Sequence, residues 1–544
     1  MRNNPVVLIC FEEQDNLGIG YIASILLQND IQVKIIDFRI GKENILQHLK
    51  DYRPLIVGFS IIFQYYVYEF KNLIAYLRKH GIKCHFCAGG HYPSLRYLDL
   101  FEVIPEIDSI VLFEGEHTFL ELVSTLYSGN LWQNITGIAY KNNGSVITNP
   151  FRPLEKDLDN FPVPVRQPLR DYALKKKYAT ILAGRGCLYN CSFCSIREFY
   201  SKPEGPLKRM RRPEMVVSEI ELLRNQLGCS IFMFQDDDFP ISTNQEKKWA
   251  VKFCELLSEK QLTDKILWKI NCRPDEVDKD IFKMMKSCGL FLVYLGIEDG
   301  TDDGLKLMNK HIDKETTINT VGILKELGIQ YDFGFMLFNP WSTYQTVLDN
   351  LKFLETICGD GSSPITFCKM LPYAETKIEY ILKKERRLKG KFGFEDYDFI
   401  DFSLNQFYFF ISECFNDWMS DHEGLLNTAR WAGYYLVIYK KYHPITPAFT
   451  EVEKTTKELI SQSNIFFIDA MKKIIDIFNS NDDNGNNLIK IKRNIDRCHS
   501  HFKNKFAEAT STIENIAFSN TESFLTNHSS GRRGLERSGS PRRL

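Results

Sequence analysis

The sequence has almost no excess of charge of either sign. Its 68 Lys and Arg residues nearly cancel its 69 Asp and Glu residues, which leaves a formal net charge of −1. A balanced chain generates no overall field that would attract nucleic acid or an anionic membrane surface. We therefore expect neither nucleic acid nor a membrane among its partners.

Long apolar runs and a disulfide pattern are also missing. Only about seven apolar residues precede Glu12, too few for a secretory signal or a membrane span. The chain has 14 cysteines in 544 residues, and three of them are clustered, which suits a reducing compartment better than a disulfide framework. We expect a soluble cytoplasmic protein.

Core-forming residues, in contrast, are plentiful. Hydrophobic residues make up 44% of the chain, including 40 Phe and 25 Tyr. A chain of this length and composition predicts roughly two to four domains.

One short stretch, from Gly184 to Cys194, carries three thiols, those of Cys187, Cys191 and Cys194. Thiols this close can converge on one metal or cluster, and iron–sulfur centres select thiolate ligands. A structural zinc site would need a fourth Cys or His nearby, and the next cysteine is the distant Cys229. The spacing predicts a three-ligand site with one open metal position; the alternative is a set of ordinary buried cysteines.

The pattern Cys187-x3-Cys191-x2-Cys194, with Phe193 before the third cysteine, resembles the cluster loop of radical S-adenosylmethionine (SAM) enzymes. This resemblance implies that the three cysteines hold a [4Fe–4S] cluster and that SAM chelates the fourth iron. It also implies reductive cleavage of SAM to a 5'-deoxyadenosyl radical, and it places Phe193 among the cofactor-binding residues.

Residues 1–130 alternate between strand and helix patterns. Apolar runs at 6–11, 33–38, 55–62, 83–88 and 109–113 are separated by glycine-containing loops and helical spacing. This order is typical of a doubly wound, Rossmann-like parallel sheet with a ligand crevice at the carboxyl ends of its strands. The alternative is a degenerate unit that binds a nucleotide or nothing.

The loops after these strands are similar to those of the cobalamin-binding domain that precedes many radical SAM domains. Glycines there allow the backbone to approach a bulky ligand. The Asp-x-His-x-x-Gly segment of other cobalamin proteins is absent, so the first loop would supply no imidazole to cobalt. His91 taken alone is as consistent with a loop hydrogen bond as with a ligand. The cobalamin contacts implied by the resemblance are Gly18, Gly20, Ser60, Gly89, Gly90, His91, Glu114 and Gly115.

Two further segments complete the predicted α/β architecture. Residues 131–176 are predicted to be a linker with a hairpin at Asn142-Asn143-Gly144. Residues 177–385 resume the strand–helix order, which predicts a partial (βα)6 barrel with its chemistry on the loops after the strands. The six predicted strands are 178–183, 230–235, 266–271, 291–297, 331–338 and 365–371.

Charged residues follow three of these predicted strands. The resemblance implies that Asp236 and Asp237 accept hydrogen bonds from SAM, and that Arg273 meets its carboxylate. Glu298 ends an apolar run, where a carboxylate is costly to bury without partners, so we expect it to face the ligand. The alternatives are helix capping for either Asp and an ordinary salt bridge for Arg273. The fifth loop, Phe338 to Thr343, departs from the family pattern.

The last part of the chain differs in composition. Residues 386–525 are predicted to be a helical domain whose aromatic side chains form its core, although in the family this domain usually closes over the substrate. Residues 526–544 are predicted to be a disordered basic tail, since Ser529 to Leu544 holds five Arg against one Glu.

Together these resemblances imply a cobalamin-dependent radical SAM enzyme. The leading hypothesis is methyl transfer to an unactivated carbon of a small-molecule or peptide natural product, with an external reductant such as flavodoxin or ferredoxin. One alternative uses the same cofactors as a cyclase or oxidoreductase without net methylation, like the anaerobic porphyrin cyclases. The non-enzymatic alternative is an iron–sulfur electron carrier, which would ligate all four irons. The sequence identifies no catalytic side chain.

Overall fold

The first seven strands of the chain form one sheet. We describe it from a computed structural model, which covers residues 4–12, 15–166, 171–419, 424–479 and 485–529. The strands are β1 (Val6–Cys10), β2 (Val33–Asp37), β3 (Ile56–Ser60), β4 (His85–Gly89), β5 (Ser109–Val111), β6 (Ile138–Asn142) and β7 (Ser145–Thr148). Their order is β2-β1-β3-β4-β5-β6-β7, and the first five are parallel. The predicted doubly wound sheet is confirmed.

Both faces of this sheet are covered, as expected of parallel strands with helical connections. Along β1, Val7 and Ile9 join one buried apolar cluster, whereas Val6 and Leu8 join another, because successive side chains point to opposite faces. The helices of this region are α1 (Leu17–Gln28), α2 (Lys42–Tyr52), α3 (Val67–Lys79), α4 (His91–Leu95), α5 (Tyr97–Val103) and α6 (Glu116–Ser128).

The hairpin predicted as part of the linker instead extends the first sheet. Strand β6 pairs antiparallel with β5, and β7 pairs antiparallel with β6. The reason is burial: Ile138 and Ala139 of β6 are fully buried. The connecting segment that remains therefore begins only after β7.

A second parallel sheet follows the first along the chain. Its strands are β8 (Lys177–Ile181), β11 (Cys229–Phe234), β12 (Leu267–Cys272), β13 (Leu290–Glu298) and β14 (Gln330–Phe335), and the short pair β9 (Gly184–Gly186) and β10 (Lys208–Met210) lies between β8 and β11 in sequence. The order is β14-β13-β12-β11-β8, as expected for a partial barrel. The sixth predicted strand, 365–371, contributes only one isolated parallel bridge, between Phe338 and Lys369.

Helices cover the outer face of this second sheet. Trp268 of β12 is fully buried there and packs edge-on against Phe253, with ring centroids 5.3 Å apart. The helices of this part of the chain are α7 (Ile196–Ser201), α8 (Pro213–Leu227), α9 (Asn244–Glu259), α10 (Lys279–Ser287), α11 (Asp302–Leu307), α12 (Lys314–Leu327) and α13 (Tyr344–Cys358).

The remaining elements are mostly helical, and the chain separates into two compact units. They are α14 (Lys377–Lys384), β15 (Leu388–Lys391), β16 (Phe394–Tyr397), α15 (Ser403–Met419), α16 (Leu425–Tyr442), α17 (Pro447–Asn479) and α18 (Gly485–Ser529). One unit comprises Met1–Tyr172, Lys176–Ile357 and Thr366–Phe410; the other comprises Ala173–Lys175, Cys358–Ile365 and Ile411–Leu544. Both sheets belong to the first unit.

The second unit is built from helices around an aromatic core. Phe415 packs against Phe467 with centroids 5.0 Å apart, and Phe506 is fully buried. Of the predicted basic tail, residues 526–529 continue α18, and residues 530–544 lie outside the described residues. Within the described ranges, none of the helices combines the length and apolar character that crossing a membrane requires.

Gly20, predicted to contact the cofactor, packs against the connecting segment instead. A Cβ built on Gly20 would lie 2.5 Å from the Val165 carbonyl oxygen, and the Val165 N–H donates to the Gly20 carbonyl at 3.1 Å. The spacing of glycines in the sequence could not reveal that the second one meets backbone. Gly20 thus fixes the path of the connecting segment over α1.

Gly20→Ala should therefore destabilise the protein by about 1–3 kcal/mol, the usual cost of forcing atoms into a packed contact. Gly18→Ala is the matched control in the same helix, because the nearest atom to its Cβ would be 3.7 Å away. Urea denaturation followed by circular dichroism measures both free energies of unfolding. Equal stabilities for the two variants would contradict this account.

Candidate functional site

A cavity of about 380 Å³ lies at the carboxyl ends of the strands of the first sheet. This is the edge at which doubly wound sheets bind their ligands. Seven of the eight residues that the sequence predicts as cobalamin contacts line it, with Gly20 the exception. They are Gly18, Ser60, Gly89, Gly90, His91, Glu114 and Gly115.

The opposite wall of the cavity comes from the second sheet. Leu182 follows β8, Gln235 and Asp237 follow β11, and Gly184 and Arg185 lie in β9. Since Cys187 follows Arg185 by two residues, the cavity and the cysteine loop share one wall.

The glycines of the cavity wall differ in what they provide. Gly90 has φ +114, and a Cβ on it would lie 2.8 Å from the Ile61 carbonyl oxygen, so the turn itself requires glycine. Gly18 has no atom closer than 3.7 Å to its Cβ position, so a larger side chain there would enter the cavity. These residues give a bulky ligand direct access to backbone.

His91 lines the cavity and also contacts the cysteine loop. Its Nε2 lies 2.9 Å from the Ser195 hydroxyl, one residue beyond Cys194, and its ring stacks on Phe199 with centroids 4.8 Å apart. Burial lowers the pKa of His91 to about 4, so the imidazole is neutral at physiological pH. Of the two roles considered for His91 from the sequence, the structure shows a hydrogen bond, the one to Ser195.

Four largely buried charged side chains join the first sheet to the paired strands β9 and β10. Arg185 donates to Glu114 at 3.1 Å and to Glu116 at 2.6 Å, and Arg209 donates to both oxygens of Glu114 at 2.8 and 2.9 Å. Burial alone would raise the pKa of Glu114, but hydrogen bonding and charge from the two arginines lower it below its usual value. Glu114 is therefore ionised, and its oxygens serve the arginines rather than the cavity.

The two carboxylates that follow β11 hold the backbone leading into the cysteine loop. Asp236 accepts from the N–H of Ala183 at 3.1 Å and of Gly184 at 2.5 Å, and Asp237 accepts from the N–H of Gly186 at 2.9 Å. Asp236 is buried, and both its oxygens are used in this way, so its predicted contact with SAM is corrected to a backbone-binding role. Asp237 also lines the cavity.

The cysteine loop is anchored on its far side to α11. The N–H of Ser192 donates to the Met308 carbonyl at 2.9 Å, and its hydroxyl donates to the Leu307 carbonyl at 2.9 Å. Phe193 follows on the same loop and is partly exposed. The loop is therefore held on both sides of its cysteines.

Burial raises the pKa of each cluster-loop thiol, to about 12 for Cys187 and Cys194. At Cys191 the positive charges of Lys310 and Arg273 oppose this increase, and Arg273 Nη1 lies 3.8 Å from the sulfur. Within the described residues, no three His, Cys, Asp or Glu side chains are arranged around a single metal ion. A [4Fe–4S] cluster does not need that arrangement, because each thiolate binds a different iron.

Arg273 and Glu298 both lie near this loop. Arg273 forms a salt bridge with Asp275 at 2.9 Å, which is the alternative role considered for it from the sequence. It also contacts the sulfur of Cys191. Glu298 ends β13 with φ +73, a left-handed conformation that is uncommon for a non-glycine residue. Its carboxylate lies 3.8 Å from Lys310, and burial raises its pKa.

Two residues of this site were not among the sequence predictions. Arg185 could have been suspected from its position just before Gly186 and Cys187, but its acidic partners are 69 and 71 residues away in sequence. Lys310 belongs to the Met308-Asn309-Lys310 segment, and only the folded chain brings it beside Cys191 and Glu298.

Comparison with known families identifies both halves of this site. Residues 6–123 match the B12 binding domain family, and residues 181–354 match the radical SAM superfamily. The chain belongs to the cobalamin-dependent radical SAM enzymes, whose cofactors are a [4Fe–4S] cluster, SAM and cobalamin.

Individual relatives cover most of the chain. An uncharacterized methyltransferase of Pyrococcus horikoshii is 28% identical over 373 residues, which span 67% of this chain and 78% of the relative. The anaerobic magnesium-protoporphyrin IX monomethyl ester cyclase of Rubrivivax gelatinosus is 26% identical over 396 residues, 70% of this chain and 67% of the relative. The solved structure of the cobalamin-dependent radical enzyme OxsB shares the fold, with a TM-score of 0.66 at 18% identity, covering 97% of this chain and 81% of OxsB.

The residues present fit these cofactors. Backbone at Gly18, Gly89 and Gly115 borders a cavity at the expected edge of the sheet. All 14 cysteines are free thiols, so Cys187, Cys191 and Cys194 are available as ligands.

Arg185→Gln should destabilise the first unit by about 3–5 kcal/mol, because it leaves the buried Glu116 carboxylate without its cation. Lys260→Gln is the matched control, since its ion pair with Glu221 at 2.9 Å is largely exposed and contributes about 0–1 kcal/mol. Urea unfolding of the two variants, monitored by tryptophan fluorescence, makes the comparison. If Arg185→Gln lowers the free energy of unfolding no more than Lys260→Gln does, these ion pairs do not stabilise the position of β9.

Proposed function

We propose that this enzyme transfers a methyl group to an unactivated carbon of a small-molecule or peptide substrate. The observation that carries the proposal is the wall shared by the cavity of the first sheet and the cysteine loop, which brings the sites of two cofactors side by side. The methyltransferase relative, which the chain covers over most of its length, supports the same reaction.

The residues of the chain have distinct roles in this proposal. Cys187, Cys191 and Cys194 would hold the cluster, and the cavity glycines would cradle cobalamin. When bound, the cluster and SAM supply hydrogen abstraction, and cobalamin supplies the methyl group. Arg185 keeps the two sites in a fixed relation, and the walls of the cavity exclude water from the reacting groups.

SAM would bind between the cysteine loop and the ends of the second-sheet strands. Arg273 beside Cys191 offers a cation to a carboxylate. Glu298 and Asp237 offer acceptors to amino and hydroxyl groups from neighbouring strand ends. The electron for SAM cleavage would come from an external reductant such as flavodoxin or ferredoxin.

A second candidate is a cyclisation or oxidation that uses the same cofactors without net methylation. The specific observation in its favour is the Rubrivivax cyclase, whose match covers as much of this chain as the methyltransferase match does. The residues described above would serve both reactions equally, so the products must separate them.

Cys191→Ala should abolish SAM cleavage. After anaerobic reconstitution with iron and sulfide, the wild type should be brown and release 5'-deoxyadenosine under a strong reductant, measured by liquid chromatography. Cys498→Ala on α18 is the control, since Cys498 lies outside the cysteine loop, and it should retain full activity. A reconstituted wild type that leaves SAM intact would refute the radical reaction.

Methyl transfer and cyclisation predict different products. With cobalamin and methyl-deuterated SAM, an extract of cells that naturally express the protein should yield S-adenosylhomocysteine together with 5'-deoxyadenosine and a metabolite carrying the label. Release of 5'-deoxyadenosine with no S-adenosylhomocysteine and no labelled product would favour cyclisation and overturn methylation.

A further inference from the structure

The inner face of the second sheet, the face opposite α9, is open rather than packed. Tyr294 occupies the middle of β13, yet its side chain is 37% exposed, whereas its neighbours Val293 and Leu295 are 0% exposed. Strand β12 alternates likewise, since Lys269 and Asn271 are partly exposed while Trp268 and Ile270 are fully buried. A strand flanked on both sides by others exposes a side chain only where one face of the sheet borders a chamber.

Polar side chains lie together on this inner face. Asn271 of β12 is opposite Tyr294 of β13, which is opposite Asp332 of β14, so the three share one level of the sheet. Lys269 lies one level deeper, with its ammonium 5.7 Å from the centre of the Tyr294 ring. We call Lys269, Asn271 and Tyr294 the polar row.

Asn271 holds the ammonium of Lys269 in place. Its Nδ2 donates to the Asp236 carbonyl at 3.0 Å, and its Oδ1 accepts from Lys269 Nζ. An ammonium has three donors, and this bond uses one of them. Among the residues that the structure describes, no carboxylate lies within ion-pairing distance of Lys269.

The acids nearest to Lys269 are not accessible from the chamber. Asp332 is 4% exposed and Asp236 is 2% exposed, and Asp236 is fully used by backbone N–H groups. Burial lowers the pKa of Lys269 to about 8, although both acids oppose the shift. A confined ammonium in this state gains stability from an anion that enters the chamber.

Side chains pack over two glycines at the level above the polar row. A Cβ on Gly334 would lie 3.0 Å from the Tyr294 hydroxyl and 3.4 Å from Glu298 Oε2. A Cβ on Gly296 would lie 3.0 Å from Glu298 Oε1 and 3.2 Å from Lys310 Nζ. The absence of side chains at these two glycines therefore makes room for the Tyr294 hydroxyl and the Glu298 carboxylate above the polar row.

The backbone of Lys269 lies below the strand-end residues expected to meet SAM. Lys269 precedes Arg273 by four residues in an extended segment, a separation of about 13 Å at the usual rise of a strand. The ammonium itself extends to Asn271, two residues before Arg273, so SAM has to be tested beside the substrate as the source of the oxyanion.

We propose that the polar row binds an oxyanion of the substrate, a carboxylate or a phosphate group, through the ammonium of Lys269. The ammonium supplies the charge, Asn271 orients it, and the Tyr294 ring forms the adjoining wall. This assignment rests on the proposed function only in taking the chamber to hold the substrate.

Trace acetylation with acetic anhydride tests the proposal on the full chain with its cluster reconstituted. Peptide mass spectrometry would follow the acetylation rate of Lys269, with inorganic phosphate as the probe. A single charge-assisted site with a Kd of about 1 mM predicts that 10 mM phosphate slows acetylation about tenfold. Sodium chloride at matched ionic strength should have no such effect, and Lys389, an exposed lysine, should be acetylated equally with and without phosphate.

The same acetylation experiment with SAM in place of phosphate distinguishes an oxyanion of the substrate from the carboxylate of SAM. Protection of Lys269 by SAM would assign the ammonium to the SAM carboxylate and overturn the proposal, as would a failure of phosphate to protect. Phosphate ³¹P line broadening should also disappear in Lys269→Met and persist in Lys389→Met, with folding checked by circular dichroism. None of these readouts requires methyl transfer, so this proposal and the proposed reaction fail independently.

Discussion

A short strand held by charge is the constraint on which the rest of this structure depends. Strand β9 has three residues and pairs only with β10, so its own sheet contributes little to its position. Arg185 of β9 and Arg209 of its partner β10 bind two glutamates next to the first sheet. Asp236 and Asp237, which follow β11, accept hydrogen bonds from the backbone of β9. The cysteine loop begins where these contacts end.

This arrangement explains why two domains with separate sheets form one compact unit. The ion pairs are buried, so removing one partner would leave an uncompensated charge, and the domains cannot separate without that cost. His91 adds a contact between the cavity and Ser195, beyond the third cysteine. The loop is thus fixed before and after its thiols, which gives a cofactor-binding segment the rigidity that a loop alone would lack.

The sequence predicted those features that depend on local pattern. The runs of apolar residues and the glycines between them predict ten strands of the two sheets. The spacing of the cysteines predicts the cluster loop. Features that depend on distant partners were missed. Three consecutive aspartates give no sign of which one turns back to bind Ala183 and Gly184, and two glycines in one helix give no sign that only Gly20 meets Val165. The segment 365–371 has the composition of a strand, but only Lys369 forms a bridge.

The polar row shows how a signal can be present in sequence and still be misread. The sequence predicts residues 266–271 as a strand of a parallel sheet, and such strands are usually apolar on both faces because helices or a packed core cover each one. Lys269 and Asn271 are exceptions, since they are two polar residues on the same face of the strand. Alternation of this kind inside a parallel strand therefore indicates one face without a packed core, and in a barrel that face is the inner one. The same reasoning joins Tyr294 of β13 to Lys269 and Asn271, because Tyr294 is opposite Asn271 in the sheet and is partly exposed between two fully buried neighbours.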